Sequence, residues 1–350
     1  MRAQPATGVR ARIATITTAV PPITASLDEV WNALGQARGR RMPRPPGMEG
    51  ARTRYFAQPL SSLMAPRSQS EQTDAYLEHG RVLARKVCCE ALEASGAERS
   101  DIGLVIGVSC TGVVLPSLDA ELIPILGLDP AVARLPITEL GCGAGIAGMA
   151  RALDYLRAYP DRAVLLFSLE LPSLTFQPDD HSVDNLVAAI VFGDGAGAMV
   201  LQAEGASSGW SVDECGTMLV PEGAQHLGYE LRDGGLRVVL SRELPQVVEQ
   251  YLEPAVTAFL SRAGLTLADI DMVAAHPGGP RIFDAIERTL GLPPAALCTS
   301  RQVFDDYGNA SSAGIFFVLD ALRRGRASGR ALAIAFGPGL SIELALMRLG

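Results

Sequence analysis

The sequence has no apolar run of the roughly 18–20 residues that a membrane-spanning helix needs. Residues 1–20 carry three arginines and lack an apolar stretch followed by a cleavage-like site, so we expect no signal peptide. The six cysteines form no CxxC pair, and no His/Cys cluster has metal-ligand spacing. Flavin and nicotinamide motifs are absent as well. We therefore expect a cytoplasmic protein with reduced cysteines, no metal and no cofactor.

A positive charge excess is also lacking. The formal net charge is −8, which argues against nucleic acid as the main partner. One region runs against this balance, because residues 38–54 contain six arginines and a single acid, Glu49. These are Arg38, Arg40, Arg41, Arg44, Arg52 and Arg54. The region is either an ordinary solvated loop or a docking patch for a phosphate-bearing small molecule, since arginine grips phosphate with a planar fork of donors.

The 350 residues, of which 48% are apolar, suit two domains or one fused double domain. Strand-like apolar runs alternate with helical patterns. The predicted strands are Ile102–Ser109, Ala163–Ser168, Ala196–Gln202, Met272–His276 and Ala331–Phe336. The predicted helices are Ser70–Ser95, Gly143–Ala158, Leu244–Ala263, Pro280–Leu290 and Ser311–Arg324. This alternation predicts an α/β fold with buried sheets, and a composition shift at Glu204–Trp210 is the best candidate boundary between halves.

The two halves carry a similar local pattern. In each, a glycine and one polar residue open a helix rich in small residues, and a buried strand follows. Cys142 stands at this position in the first half and Asn309 in the second, so the pattern predicts that both lie at equivalent helix starts. A true repeat would direct both side chains into one central cleft. Chance similarity of two small-residue helices is the alternative.

Cys142 lies within Gly-Cys-Gly, after an apolar segment and before a helix. A helix N-terminus favours the thiolate through its dipole and free N–H groups. The neighbouring glycines leave room for a bulky acyl group beside the sulfur. The residue is therefore a candidate nucleophile, and the alternative is a buried structural cysteine.

His276 and Asn309 are the candidate partners. His276 ends an apolar strand before a Gly/Pro turn, a place where α/β folds position functional groups, although a solvent-facing histidine fits too. Asn309 read alone is a helix N-cap. We expect His79, His181 and His226 to be structural or exposed. A Cys/His/Asn set also fits a papain-like protease, but the Cys-Trp neighbourhood and a nucleophile near the N-terminus are both absent.

Several stretches together resemble the type III polyketide synthases, the chalcone and stilbene synthase family. They are LGCGAG around Cys142, SLTFQPDDHSVDNLV from Ser173, FGDGAGA from Phe192, AHPGGPRI around His276, YGNASSAG around Asn309 and FGPGLSIE from Phe336. The resemblance implies a thiolase-like five-layered αβαβα fold built from two pseudo-duplicated halves, residues 1–204 and 205–350. It also implies a homodimer and a buried cavity reached by a tunnel for the pantetheine arm of coenzyme A (CoA).

The resemblance further implies roles for single residues. An acyl-CoA starter would acylate Cys142, and malonyl-CoA would then lose CO₂ and attack the bound acyl group. His276 and Asn309 would donate hydrogen bonds to the thioester oxygen, and His276 would also pair with the thiolate. The other implied positions are Phe192 at the tunnel junction, Gly337, Pro338 and Gly339 in the cavity wall, Thr111, Leu115, Pro172, Thr175, Gln246 and Ser311 around the substrate, and Arg41 and Arg44 at the CoA phosphates.

Within the family, residues 170–187 and 228–245 are similar to the bacterial alkylpyrone and alkylresorcinol synthases, which favours a medium- or long-chain fatty acyl-CoA starter. Two departures concern the product: Pro172 stands where bacterial relatives often carry Cys, and Gln246 where plant members carry Gly. The alternatives within the fold are a single-condensation ketosynthase served by an acyl carrier protein and a short-starter or malonyl-only aromatic synthase. The alternatives of other functional classes are a non-catalytic binding or chain-length partner that has kept the fold and a Cys-His-Asn hydrolase.

Overall fold

The computed structural model describes residues 9–39, 50–204, 209–232, 234–293 and 295–350. Its strands are β1 (Ala11–Ala19), β2 (Ile23–Ser26), β3 (Thr53–Phe56), β4 (Ile102–Val108), β5 (Ala133–Ile137), β6 (Ala163–Glu170), β7 (Gly195–Ala203), β8 (Ser211–Leu219), β9 (Leu227–Arg232), β10 (Gly235–Leu240), β11 (Met272–Ala275), β12 (Gly329–Gly337) and β13 (Ser341–Leu349). Its α-helices are α1 (Leu27–Ala37), α2 (Leu60–Leu63), α3 (Gln69–Ser95), α4 (Leu118–Ile125), α5 (Ala144–Ala158), α6 (Val183–Val191), α7 (Leu244–Arg262), α8 (Pro280–Leu290), α9 (Cys298–Tyr307) and α10 (Gly314–Arg324).

Local sequence explains where the helices begin. Ser26 caps α1 by accepting from the Glu29 amide while the Glu29 carboxylate accepts from the Ser26 amide, and Ser68 and Glu71 repeat this box at α3. At the other end of α3, Gly96 takes the left-handed conformation that stops the helix. Among the described residues, no helix combines the length and the apolarity needed to cross a membrane.

Nine strands form one mixed sheet in the order β11-β12-β13-β8-β1-β7-β6-β4-β5. β1 and β8 lie antiparallel at its centre, where Ala11 faces Val212 and Arg12 faces Ser211. Counted outward from that centre, one half runs β1-β7-β6-β4, with β5 as an additional edge strand, and the other runs β8-β13-β12-β11. In each half, the sheet strand that comes first in sequence lies at the centre of the sheet, and the last, the penultimate and the second strands follow outward. The β9-β10 hairpin is an addition to the second half. The division at residues 204 and 205 itself stays a prediction.

Two apolar clusters define the layers. The central cluster joins α5 and α10 to both halves of the sheet, and includes Ile146, Met149, Leu153, Leu166, Ile315, Phe316, Leu319 and Ala333. The outer cluster covers the opposite faces with α3, α7 and α8, and includes Leu83, Val87, Leu165, Val256, Ile286 and Leu344. The layers are therefore outer helices, one half of the sheet, the central helices α5 and α10, the other half of the sheet, and outer helices. This order confirms the predicted five-layered αβαβα fold.

The predicted equivalence of Cys142 and Asn309 is wrong in register. Gly141 has φ +45° and opens a short 3-10 turn before α5, and Ser311 has φ +46° and opens the corresponding turn before α10. The backbone therefore matches Cys142 with Ser312, while Asn309 lies before its turn. The shared Gly-polar pattern misled because the left-handed position, usually glycine, is held by a serine in the second half.

Candidate active site

Cys142 lies in the 3-10 turn between β5 and α5, and two glycines let this turn pack closely. A Cβ atom on Gly141 would stand 2.6 Å from the Pro338 ring, and one on Gly143 would stand 3.2 Å from the Gly337 backbone. The turn around the nucleophile is therefore pressed against the loop of residues 337–339, as expected for a cavity wall. Side chains at either glycine would push the two apart.

His276 directly follows β11 and is only 4% exposed. Its amide donates to the Ile334 carbonyl (2.8 Å), which continues the parallel pairing with β12. A Cβ atom on Gly314, the first residue of α10, would lie 3.0 Å from Cε1 of the ring, so the imidazole packs onto that helix start. Neither ring nitrogen finds a hydrogen-bond partner among the described residues. Burial lowers the pKa of His276 to about 4, so the imidazole is neutral near pH 7.

Asn309 is fixed by its backbone beside Phe192. The two residues form a parallel β-bridge, in which the Asn309 amide donates to the Val191 carbonyl (2.8 Å) and the Gly193 amide donates to the Asn309 carbonyl (3.1 Å). The side-chain oxygen Oδ1 accepts from the Ser311 amide (2.8 Å). The NH₂ group is therefore left as a donor. The side chain lowers the pKa of Cys142 and raises that of His276, so it neighbours both residues.

The Cys142 thiol is in an environment that disfavours its ionisation. Burial, followed by the Glu170 carboxylate, raises the thiol pKa to about 11, against opposing contributions from Ser311, Asn309 and the Cys142 amide. The sequence predicted a thiolate favoured by the helix start and by His276. The thiol pKa is raised instead, because the effect of burial is larger than that of the few hydrogen-bond donors around the sulfur. In addition, His276 is neutral and not hydrogen-bonded to the sulfur.

A buried polar network that the sequence reasoning missed surrounds Glu170 at the end of β6. Glu170 accepts hydrogen bonds from the Cys110 amide (3.2 Å), from the Thr111 amide (3.1 Å) and hydroxyl (2.6 Å), and from the Ser312 hydroxyl. Burial raises the Glu170 pKa. The carboxyl ends of adjacent parallel strands meet at such a point in α/β folds, so the positions just after β4 and at the end of β6 were the available signal.

Tyr229 of β9 is a second missed residue. Its hydroxyl is buried without a hydrogen-bond partner among the described residues. Burial, followed by the nearby thiols of Cys110 and Cys142, raises the Tyr229 pKa well above its ordinary value. Thr175 opposes this rise, although its hydroxyl donates to the Pro172 carbonyl (2.9 Å). The phenol therefore stands close to the nucleophile, and its place in a weakly patterned hairpin gave no signal in the sequence.

The structure brings most of the predicted site residues together but not all. Thr111, Pro172, Thr175, Ser311 and Gly337 are buried, and Phe192, Pro338 and Gly339 are half-buried. In contrast, Leu115 is 98% exposed and Gln246 is exposed on the first turn of α7, so neither lines a buried cavity of its own chain. Gln246 was placed in the cavity because it stands where plant members of the family carry Gly, but its position on α7 points it to solvent. Arg41 and Arg44 lie outside the described residues.

An apolar cavity borders this centre. Pro172, Thr175 and Phe192 line it, and its other walls come from α1, β3, α2, α6 and β10. Because Phe192 is bridged to Asn309, the cavity meets the catalytic candidates at that residue. An apolar surface is therefore available close to Cys142 for the unreactive chain of an acyl group bound to its sulfur.

The fold is thiolase-like, and comparison with known proteins narrows the class. Residues 59–205 match the chalcone and stilbene synthases, N-terminal domain, and residues 212–349 match the C-terminal domain. A putative chalcone synthase of Bacillus subtilis is 35% identical over 84% of this chain and 85% of its own length. A 1,3,6,8-tetrahydroxynaphthalene synthase of Streptomyces peucetius is 38% identical over 85% and 81%.

A solved structure gives the same result. The crystal structure of 1,3,6,8-tetrahydroxynaphthalene synthase from Streptomyces coelicolor, a bacterial type III polyketide synthase, matches with a TM-score of 0.90 and 31% identity over 97% of this chain and 99% of that one. The chain therefore belongs to the chalcone and stilbene synthase family, the type III polyketide synthases. It is an acyltransferase of that family.

Proposed function

We propose that this protein joins malonyl-CoA units to an acyl group held on Cys142, by repeated decarboxylative Claisen condensation. The observation that carries the proposal is the Asn309 side chain, which neighbours both the Cys142 thiol and the His276 ring in a buried site. A nucleophile and two hydrogen-bond donors thus converge on one point. The reaction needs no metal and no redox cofactor.

The first step loads the starter. The thiol is protonated at neutral pH, and His276 is neutral with an unpartnered ring nitrogen, so this nitrogen can accept the thiol proton as the sulfur attacks the starter thioester. The Cys142–acyl bond forms, the bond between the acyl carbon and the CoA sulfur breaks, and the proton passes to the departing CoA thiolate. The neutral site is restored for the second substrate.

The second step forms the carbon–carbon bond. The Asn309 amide and a His276 N–H donate hydrogen bonds to the thioester oxygen of malonyl-CoA, where negative charge develops as CO₂ leaves. The resulting carbanion attacks the acyl carbon on Cys142, and the cysteine sulfur departs. Both donors are uncharged, and in a dry site fixed dipoles stabilise the enolate strongly without the cost of burying another charge. The chain, now two carbons longer and bound to the CoA of the extender, is transferred back to the Cys142 sulfur with cleavage of its CoA thioester and release of CoA, as in the first step.

We further propose a medium- or long-chain fatty acyl-CoA starter and cyclisation to an alkylpyrone or alkylresorcinol. The apolar lining of the cavity at Phe192 supports this starter, because an alkyl chain gains about 0.8 kcal/mol for each CH₂ that it buries against such a surface. Its walls come mainly from Leu, Phe, Val, Ala and Met side chains. Arg41 and Arg44 remain the proposed contacts for the CoA phosphates.

A malonyl-only aromatic synthase is the second candidate. Two observations favour it: the 38% identity to a tetrahydroxynaphthalene synthase, and the Tyr229 phenol, which occupies space close to Cys142. A small starter needs less room on the sulfur than an alkyl chain does. The cavity and the phenol therefore point to different starters, and the choice between them is a question of substrate preference.

We also propose a homodimer. β5 is an edge strand of the sheet, and its residues are exposed or half-exposed along the whole strand. Leu115 and Val113, which are 98% and 55% exposed, lie on the loop that follows the adjacent strand β4. An open edge beside exposed apolar side chains fits pairing with a second copy of the chain.

The test is incubation of the purified protein with malonyl-CoA and a series of acyl-CoAs from acetyl to palmitoyl, with CO₂ release and product masses as readouts. Products that grow by two-carbon units, lost in Cys142→Ala, support the proposal, and the best starter decides between the two candidates. Activity that appears only with carrier-protein-bound malonate indicates the single-condensation alternative. Release of free acid without malonyl-CoA indicates a hydrolase and contradicts the proposal.

A further inference from the structure

Arg54, on β3, is a fully buried arginine without an ionic partner among the described residues. Its Nη1 donates to the Ala189 carbonyl (2.5 Å), while Nε and Nη2 find no acceptor there. The guanidinium carbon lies 5.7 Å from the centre of the Phe56 ring. Burial lowers the pKa of Arg54 to about 9, which reflects the cost of holding this cation away from water.

Such an arrangement is not explained by stability. Apolar residues of similar volume often replace buried charged groups at no cost, or with a gain, because the charge pays a large desolvation penalty. Within the part of the chain that the structure describes, Arg54 makes one hydrogen bond, and its buried Nε and Nη2 have no acceptor. A side chain that is unfavourable for folding and lies near a reaction centre is a candidate for a role in that reaction.

The contacts of Arg54 lead directly to the catalytic asparagine. A Cβ atom on Gly308 would lie 2.8 Å from Cγ of Arg54, and one on Gly193 would lie 3.3 Å from it. The aliphatic stem of Arg54 thus fills the space behind these two glycines. Gly193 follows Phe192 and Gly308 precedes Asn309. The stem therefore packs against the backbone next to the β-bridge between Phe192 and Asn309.

The guanidinium holds the other end of the same unit. Ala189, whose carbonyl it binds, lies in the last turn of α6, where a cation is favoured by the helix dipole. The chain then leaves α6 through Val191, whose carbonyl accepts from the Asn309 amide (2.8 Å). A single side chain therefore contacts the end of α6 and both strands of the bridge.

We propose that Arg54 is a positioning residue, which holds the Phe192–Asn309 bridge at the depth where the Asn309 amide reaches the thioester oxygen. This inference rests on the proposed function, in which that amide stabilises the enolate. Arg54 does not touch Cys142 or substrate. Its loss should therefore impair decarboxylation selectively and leave the reactivity of the Cys142 sulfur nearly unchanged.

The experiment compares two rates in each variant: CO₂ release from malonyl-CoA, and alkylation of Cys142 by iodoacetamide, followed by peptide mass spectrometry. In Arg54→Met we expect CO₂ release to fall roughly ten- to a hundredfold, since a displacement of about 1 Å in a catalytic group has that effect. Cys142 alkylation should stay within about twofold of the wild type, because burial, Ser311 and Glu170 affect the thiol pKa more than Asn309 does. Asn309→Ala is the positive control, in which CO₂ release should fall much further than alkylation.

Arg157→Met is the matched structural control. Arg157 is also a largely buried arginine, with its side chain 10% exposed, but it lies in the last turn of α5 and binds the Asp213 carbonyl (3.2 Å) and the Glu214 carboxylate (2.7 Å). This variant should lower the melting temperature at least as much as Arg54→Met does, yet keep the ratio of the two rates. A general loss of stability is thereby separated from a loss of positioning.

Equal falls in CO₂ release and in alkylation in Arg54→Met, or no fall in CO₂ release, would overturn the inference. If that variant does not fold, Arg54→Lys decides, because lysine keeps an aliphatic stem and the charge but loses the guanidinium, whose Nη1 binds Ala189 and whose carbon lies over the Phe56 ring. We expect it to slow CO₂ release at least threefold without slowing alkylation, and an unchanged CO₂ release rate would contradict the role. If the wild type itself neither releases CO₂ nor forms products, the proposed function fails, whatever the variants do.

Discussion

The hydroxyl oxygen of Ser311 lies 3.5 Å from the sulfur of Cys142. The same hydroxyl lies 3.3 Å from the sulfur of Cys110, so it stands between two thiols. Ser311 is held there in a left-handed conformation, φ +46°, by the hydrogen bond from its amide to Asn309. A non-glycine residue in this conformation costs free energy, and such strain is concentrated at functional sites. The reactivity of Cys142 therefore depends on this hydroxyl opposing the effect of burial.

Replacement of Ser311 by alanine is expected to make Cys142 less reactive. Ser311 is the strongest of the groups that lower the thiol pKa, and a lost hydrogen bond of this kind is worth about 1 kcal/mol, or somewhat less than one pKa unit. The thiol pKa, about 11 in the wild type, should rise. The check is the rate of Cys142 alkylation as a function of pH, which should shift to higher pH by that amount.

Ser95→Ala provides the control for this prediction. Its hydroxyl donates to the Leu92 carbonyl (2.8 Å) at the end of α3 and contacts no residue of the site, so its removal should leave the alkylation profile unchanged. An alkylation rate in Ser311→Ala equal to that of the wild type at every pH would show that the hydroxyl does not act on the sulfur.

The decarboxylation step should show no titration of His276 in the neutral range. Burial lowers the pKa of His276 to about 4, so the ring is neutral both above and below pH 6.5, and roughly 1% is protonated at pH 6. We expect the rate of CO₂ release at saturating malonyl-CoA to be flat with respect to His276 from about pH 5.5 to 8. A step near pH 6.5 that disappears in His276→Gln would show that the ring is protonated in the working enzyme.

Removal of the Tyr229 ring should shift the starter preference toward longer acyl chains. The phenol neighbours Cys142 and also Thr175, which lines the apolar cavity, so Tyr229→Ala enlarges the space that connects the two. We expect the ratio of kcat/KM for dodecanoyl-CoA to that for acetyl-CoA to rise roughly tenfold, a factor that corresponds to burying about two more CH₂ groups. Tyr229→Phe keeps the ring, so it should keep the wild-type ratio. A rise of the same size in the phenylalanine variant would assign the effect to the hydroxyl instead of the volume.

The sequence was most informative where pattern and chemistry coincide. Long apolar strands such as β6 and β12 and the small-residue helix α5 were predicted to within a few residues, because burial on both faces leaves a continuous apolar run. The end of the strand before His276 was predicted equally well, since a Gly/Pro turn follows it. The hairpin β9-β10 was missed because many of its residues are half-buried and show no regular alternation.

The pKa shifts and buried charges of the site could not be predicted from residues that are adjacent in sequence. The rise in the Cys142 pKa comes from burial and from Glu170, and β6, which ends at Glu170, and β5, which precedes Cys142, are brought together by their pairing with β4. Arg54 was grouped with the surface arginines because its neighbours in sequence are arginines, yet alternation along β3 turns it inward beneath α6. These features depend on contacts between distant segments, which local patterns do not encode.

Gly143 offers a direct test of how closely the nucleophile turn is packed. A Cβ atom there would lie 2.9 Å from Cγ of Glu343 and 3.2 Å from the backbone of Gly337, both part of buried segments that cannot move freely. Gly143→Ala should therefore lower the free energy of unfolding by about 1–3 kcal/mol, the usual cost of overpacking a dense region.

Gly143→Ala should also reduce product formation further than stability explains, because relief of the clash moves Cys142 or the cavity wall. Denaturant unfolding and the malonyl-CoA assay measure the two effects, and Gly209→Ala, whose new Cβ has no neighbour within 4 Å among the described residues, is the matched control. Wild-type stability and activity in Gly143→Ala would mean that the turn and the wall of residues 337–339 are less closely packed than the structure indicates.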